Sequence, residues 1–547
     1  MLYQLLLLPV ILILAAVLPR VVGKDVRRKF DRLANRRTLS VCLIGLIAFL
    51  IAAGMSLAVH MPVPGAKDEF AYLLGADTFA SGRLSNPTHP LWESFEGHHI
   101  FHQPTHQMKY PPGQSILLAA GQVLGHPAIG VWLGLSLAAA ATCWMLYGWV
   151  PPRWALLGGI LFLLNFKLIR FWGQMYWGGA LPLLGGALVF GALPRVMRKP
   201  TIGPSACLAA GLAILANTRP YEGFVAALLA AGAMLVWLFS KHRPSLTQFG
   251  LKAALPITAI LLLAGMWMGL YNTRVTGSPW KLPYQQYQEI YGGRSLTAVV
   301  LRGSENMREP TRTVPPKVSD EERQRRAALF AAEATDYRGK LFRNWMFYVG
   351  IIAAVPLLAS ASGLKNWRVW FPATCVAAVA AAVVMQDTRG HLHYMAPVGG
   401  LVFLLIVHGM RRLQLVGRFG RNLVPLIPAA LLVCFLLGLR GFWQNPVELP
   451  WSLERARILK QMQETGGRHV LVVRYRPDHN YHQEWVYNRA DIDAADVVWA
   501  HELSPEQNQK LVDYMSDRSI WLLEPDVQPP RLTLHTSPAK RSEDSDQ

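Results

Sequence analysis

Acidic residues and cysteine are both scarce in this 547-residue sequence: 34 Asp and Glu stand against 54 Lys and Arg, and there are five cysteines. Cys42, Cys143, Cys207, Cys375 and Cys434 all fall inside apolar runs, which argues against a disulfide framework and against a cysteine zinc site. No P-loop, no GxGxxG after a strand and no Gly-x-Ser-x-Gly occurs, so nucleotide hydrolysis and serine hydrolase chemistry lack support. No fixed-period repeat is present either.

What the sequence does have is apolar length, with 52% hydrophobic residues. Runs long enough to cross a bilayer fall at 2–19, 39–60, 127–149, 154–171, 175–193, 203–217, 221–240, 252–272, 343–361, 369–385, 393–410 and 423–441. The fold class is therefore an α-helical polytopic membrane protein of about 12 transmembrane helices. The first run has an apolar core whose positive charge follows rather than precedes it, with no small-residue cleavage site, so it reads as a retained anchor. Alternate connecting loops (20–38, 151–153, 194–202, 241–252, 362–368, 411–422) hold 21 Lys and Arg against Asp25 and Asp31, which is +19 of the formal charge of +20. The positive-inside rule puts these loops in the cytoplasm and the N-terminus outside. The basic charge then reports topology, and no nucleic acid is needed to explain it.

The long polar segments, 61–126, 273–342 and the chain from 442, lie on the opposite side, and function is expected there. The first ends in a short Pro-initiated interfacial helix, KYPPGQSILLAAGQVL. The second is expected to be a mobile loop or lid with a capped helix from Ser319. From 442 to 530 the pattern changes: RHVLVVRYR, ADVVWA and SIWLLEPD read as buried strands. LSPEQNQKLVDYMSDR reads as a helix capped by Ser504 with Pro505 and Gln507 in place. The expectation is a membrane domain over 1–441, a small extracytoplasmic α/β domain over 442–530, and a disordered tail over 531–547.

The stretch VPGAKDEFAYLLGADTFASGRL, Val63 to Leu84, follows directly on the second run and carries two adjacent carboxylates, Asp68 and Glu69. Acids that open a helix ordinarily cap it and face solvent. Here Phe70, Tyr72, Leu73, Leu74 and Phe79 predict an amphipathic interfacial helix with Asp77 on its polar side. A carboxylate held at headgroup depth reaches a lipid phosphate and an aqueous acceptor together, as a general base for an acceptor hydroxyl must.

The order of apolar run, DEF with Tyr72, GRL at 82–84 and KYPPG at 109–113 resembles the first external loop of the membrane-embedded GT-C glycosyltransferases. Within them it is most similar to the bacterial branch related to protein O-mannosyltransferases and the lipid A aminoarabinose transferase. YNTRVTGSPWKLPYQQY at 271–287 and HLHYMAPVGG at 391–400 resemble patches of the same branch, and the likeness covers roughly residues 40 to 410 in organisation. It implies a GT-C-like fold and a sugar donor on polyprenyl phosphate. It also implies Asp68 as the base and Glu69 as an acceptor or metal contact. The first run precedes the family's usual starting helix. WGQMYWGG at 172–179 offers Gln174 and Tyr176 where some relatives carry a second acidic ligand. A divalent cation is therefore left with one carboxylate pair, a thin shell, and no metal ligand is assigned.

A departing phosphate gains negative charge and needs cations near it. Candidates are Lys109 in KYPPG, Arg219 in NTRPYEG, Lys167 and Arg170, and Arg389 with His391 and His393 in QDTRGHLHY. Arg219 stands out against the depletion of positive charge on that side, although Glu222 makes an ordinary ion pair an alternative. Tyr110, Glu222, Tyr284 and Tyr394 complete the candidate binding set, and Glu93 and Glu96 are expected to shape the acceptor site. His98, His99, His102 and His106 have helical metal spacing, but Pro104 interrupts it and EGHHIFHQPTH reads as a polar loop. His479, His482 and Glu484 are weaker still. The function that follows is an inverting transfer of a sugar from polyprenyl phosphate to a glycan, lipid or protein acceptor at the outer face of a bacterial inner membrane. A transporter or flippase would place ionisable residues at the midplane of broken helices, where this chain has almost none. A non-catalytic envelope-polysaccharide assembly protein would not need the Asp68 and Glu69 pair.

Overall fold

The computed structural model of the chain describes residues 2–18, 23–240, 243–291, 336–385, 391–444, 449–480 and 482–536. Arg389 and the helix expected from Ser319 lie outside the described residues. Among the described residues, eight helices are long and apolar enough to span a bilayer: Arg37–Ala58, Pro127–Trp149, Ala180–Arg198, Pro220–Leu238, Leu246–Thr276, Trp367–Met385, Leu392–Leu413 and Gly417–Gln444. The chain is a multi-pass membrane protein.

The remaining four of the twelve expected spans differ in form. The run 154–171 is two helices, Pro152–Leu163 and Phe166–Gly173, bent by 61°. Asn165 makes the break: its side chain accepts from Leu168 N and so starts a new helix, while its amide donates to Phe347 O and Tyr348 O. The run 343–361 is likewise not one helix, because Tyr337–Tyr348 stops before Gly350 at φ 68° and Ala354–Ala359 resumes beyond it. Gln4 accepts from Ile351 N in that gap, so the first helix, Leu2–Val17, stitches it shut. That helix and Ile202–Ala216 are apolar but shorter than a full span.

The helix Leu392–Leu413 is the most buried of these spans, with 89% of its apolar window buried, whereas Leu246–Thr276 has 6% buried and leaves its side chains exposed. Small residues let helices approach: a Cβ on Gly186 would lie 1.8 Å from Pro397 O, so only glycine fits between Ala180–Arg198 and Leu392–Leu413.

The polar segment 61–126 folds over one end of the bundle. Its helix Lys67–Ala80 is not the amphipathic surface helix expected: ten of its 14 residues are buried. It packs on the short helix Gly113–Val123, which begins after Pro112. Between them runs a two-stranded ribbon, β1 (Ile100–Phe101) and β2 (Gln107–Met108), paired antiparallel.

Beyond the bundle the chain forms a small α/β region. The helix Pro450–Thr465 leads into β3 (His469–Val473), followed by β4 (Val497–His501), the helix Pro505–Tyr514, β5 (Ser519–Glu524) and β6 (Arg531–Thr536). The sheet order is β4-β3-β5-β6, with β3 parallel to both neighbours and β6 antiparallel at the edge. HVLVV is buried throughout, as a central parallel strand requires. Ser504 caps the following helix by accepting from Gln507 N. Strand β6 falls in the stretch expected to be tail, where its alternating Leu532 and Leu534 pair with β5.

Candidate active site

Adjacent residues on a helix point about 100° apart, so Asp68 and Glu69 face different neighbours. Glu69 reaches back over the helix start: Oε2 accepts from Gly65 N at 2.9 Å and Ala66 N at 3.0 Å, and Oε1 accepts from Tyr176 N at 2.8 Å. Burial pushes it up to about 7, against the pull of those three N–H groups. Its oxygens are thus committed to the backbone.

Asp68 faces the loop that carries His99 and Tyr110. Its Oδ1 accepts from Tyr110 OH at 2.6 Å and lies 2.5 Å from His99 Nδ1. Burial would raise the Asp68 carboxyl, but His99, Lys109 and Tyr110 together outweigh it and hold it below the ordinary carboxylate range. His99 is pushed down to about 4 by burial and by Lys109, so it is neutral at pH 7. A neutral ring with Nδ1 against a carboxylate carries its proton there.

Two cations belong to the same cluster. Lys109 Nζ sits among three tyrosines, 5.2 Å from the ring of Tyr110, 5.5 Å from Tyr284 and 4.8 Å from Tyr287. Burial lowers Lys109 to about 8 while Asp68 pulls it back up. Arg219, which precedes the helix Pro220–Leu238, lies over Tyr394 at 5.0 Å and within electrostatic range of Tyr72, Tyr110 and Glu222. Tyr72 stacks on Tyr110 at 4.8 Å. His391 and His393 stack on each other at 5.4 Å beside Trp177 and Tyr394.

The structure thus brings Asp68, Lys109, Tyr110, Arg219, Glu222, Tyr284 and Tyr394 into one cluster, with His391 and His393 at its border. Lys167 and Arg170 stand elsewhere: they line a cavity of about 660 Å³ with Glu69, Gln174, Trp177 and Phe347. There Lys167 donates to Met346 O and Arg170 covers Phe442. Glu93 accepts from Gln507, and Glu96 O lies 2.8 Å from His501 Nε2, so both meet the C-terminal region. His102 and His106 stack at 4.5 Å while His98 faces Glu484. Among the described residues no group of three or more His, Cys, Asp or Glu could hold a metal ion. With Glu69 fully bonded to backbone, the carboxylate pair does not fit a divalent cation.

Three members of the cluster were not among the candidate binding residues: His99, Tyr72 and Tyr287. Tyr72 is four residues from Asp68 and so shares its helix face. His99 meets Asp68 from 31 positions away through a loop, and nothing in its spacing announces that.

No family model matches the chain, and no curated protein matches it. Among solved structures it resembles ArnT from Cupriavidus metallidurans bound to undecaprenyl phosphate, with TM-score 0.54 and 12% identity over 88% of this chain and 92% of that one. It resembles the same protein in the apo state with TM-score 0.52 and 11% identity over 90% and 93%. The chain shares the fold of ArnT across nearly its whole length.

Proposed function

We propose that the chain is an inverting membrane glycosyltransferase that moves a sugar from a polyprenyl-phosphate donor to an acceptor at the outer face of a bacterial inner membrane. The observation that carries this reading is the placement of an ionised carboxylate, Asp68, in one tyrosine-walled cluster with two cations, Lys109 and Arg219. In such a site the carboxylate serves the nucleophile and the cations the departing phosphate. The ArnT structure, solved with undecaprenyl phosphate, supports the donor class. The alternation of basic loops supports the orientation, with residues 61–126 and the C-terminal region extracytoplasmic.

In this reading the acceptor hydroxyl, relieved of its proton at the Asp68 side, attacks the anomeric carbon. The bond from that carbon to the phosphate oxygen breaks, and Lys109 and Arg219 hold the anion that leaves. A single displacement inverts the anomeric centre. Tyr110, Tyr284 and Tyr394 line the cluster around the sugar, with His391, His393 and Glu222 at its edge.

The test is sugar release from undecaprenyl-phosphate-linked glucose, mannose and aminoarabinose by the full chain reconstituted in bilayers. Asp68→Asn is expected to lose on the order of 10²- to 10⁴-fold in turnover. Wild-type turnover in Asp68→Asn would overturn the assignment.

A further inference from the structure

His99 has the left-handed backbone conformation, φ 65°, and is the only non-glycine residue with positive φ among the described residues. That conformation is uncommon for any residue but glycine, although asparagine, aspartate and histidine adopt it more often than the rest, and it persists where surrounding contacts over-determine it. Here they do. The carbonyl of His99 accepts from Lys109 N at 3.0 Å and its N–H lies 3.4 Å from Tyr287 OH. The ring is held edge-on by Tyr110 and Tyr287, at 5.6 and 6.3 Å between centroids. The result of all this fixing is the 2.5 Å approach of Nδ1 to Asp68 Oδ1.

Asp68 is poorly placed to take a proton itself. Its Oδ1 already receives Tyr110 OH and His99 Nδ1–H, and a carboxylate so stabilised is a weak base. The far nitrogen of the ring is the opposite case. Among the described residues Nε2 makes no hydrogen bond, and the side chain keeps 23% of its surface open. A neutral imidazole whose Nδ1–H is held by a carboxylate presents Nε2 as a proton acceptor, and the carboxylate stabilises the imidazolium that forms.

We propose that His99 is the proton acceptor of the reaction and that Asp68 is its orienting partner. The inference rests on the transferase reading above and sharpens it. The acceptor O–H proton passes to Nε2, and the electron pair it leaves forms the new bond to the anomeric carbon. The pair of the breaking carbon–oxygen bond goes to the phosphate. The imidazolium, paired with Asp68, then returns its proton to water.

Two variants of the reconstituted chain separate this from a direct role of Asp68, with sugar release to water from the undecaprenyl-phosphate sugars as readout. In His99→Asn the side-chain amide stands where Nδ1–H was and tolerates positive φ, but nothing replaces Nε2. Turnover is expected to fall by on the order of 10²-fold with KM within a few-fold of wild type. In His99→Gly the backbone is unstrained and the ring is absent. Added imidazole is expected to restore turnover in proportion to its free-base concentration, a response no purely structural role would give. Turnover of His99→Asn within a few-fold of wild type, or no imidazole rescue of His99→Gly, overturns the proposal. Either result beside an inactive Asp68→Asn leaves the transferase reading standing with Asp68 as the base, whereas an active Asp68→Asn removes that reading itself.

Discussion

The ring of Tyr487 lies parallel to that of Phe70, 4.1 Å between centroids and 3° between planes, and its hydroxyl donates to His98 O at 3.4 Å. Phe70 is two residues after Asp68, and His98 immediately precedes His99. One side chain from the C-terminal α/β region therefore pins both elements that carry the Asp68–His99 contact. Arg455 reinforces the arrangement: it covers the Phe70 ring at 5.0 Å and donates to the carbonyls of Trp485 and Tyr487. Asp77, at the other end of the same helix, accepts from Ala490 N and from Arg489. The C-terminal region, which the sequence suggests docks over the site or recruits the acceptor, thus contacts both elements of the Asp68–His99 pair.

If the C-terminal region holds the site in register, Tyr487→Ala should reduce turnover by about tenfold, the equivalent of ~1.4 kcal/mol, through lost stacking. Tyr487→Phe keeps the stack and loses only a long hydrogen bond, so it should stay within about twofold of wild type. Steady-state sugar release separates them, and equal losses in both would place the effect in the hydroxyl instead.

The pH profile should report Lys109. Burial lowers this ammonium to about 8, and a cation with a lowered pKa carries its charge below that value and loses it as pH rises through it. The free enzyme then loses part of its hold on an anionic donor, so kcat/KM should fall above pH about 8. Lys109→Arg stays charged across that range and should move the basic limb upward. A limb that stays in place in Lys109→Arg would assign it to another group.

How much of this was legible in the sequence depends on whether a feature is local. The helix Pro127–Trp149 matches its apolar run end to end, because His126 accepts from Ala128 N and Pro127 starts the helix from within the same few residues. The Ser504 cap is equally local. The bend at Asn165 was not legible: the run stays apolar on both sides, and the carbonyls that receive its amide belong to Phe347 and Tyr348. The burial of Lys67–Ala80 escaped for a related reason, since hydropathy cannot say that Asp77 is met by Arg489 from the far end of the chain. In the cluster, Arg219 stands out in the sequence as a charge out of place, and Lys109 is a candidate through its position in KYPPG. Composition and spacing treat Asp68 and Glu69 alike; the resemblance alone assigns them different roles, and their partners differ in the structure.

Glu69 should behave as a structural acid. Glu69→Gln puts an NH₂ where an acceptor stood for either Tyr176 N or the Gly65 and Ala66 N–H pair. A buried donor left unmet costs about 1–3 kcal/mol, so the purified variant should unfold at lower temperature than wild type. A role as a cation ligand predicts instead unchanged stability and a requirement for added divalent metal. Chelator treatment of the wild type checks this directly, with unchanged turnover expected from the donor set present.

Arg219 and Lys109 differ in what they offer a phosphate, and substitution should expose the difference. Arg219 lies over the face of Tyr394 at 5.0 Å, an arrangement that suits a planar guanidinium, a group able to donate two parallel hydrogen bonds to a phosphate. Lysine in its place keeps the charge but forfeits both the stacking and the fork. Arg219→Gln removes the charge that a departing phosphate needs and should lower turnover on the order of 10²- to 10³-fold. Arg219→Lys should fall between that and wild type, with the larger share of its loss in kcat, because the anion's charge grows toward the transition state. If Arg219→Gln instead raises KM and leaves kcat unchanged, Arg219 binds the donor headgroup without acting on its departure.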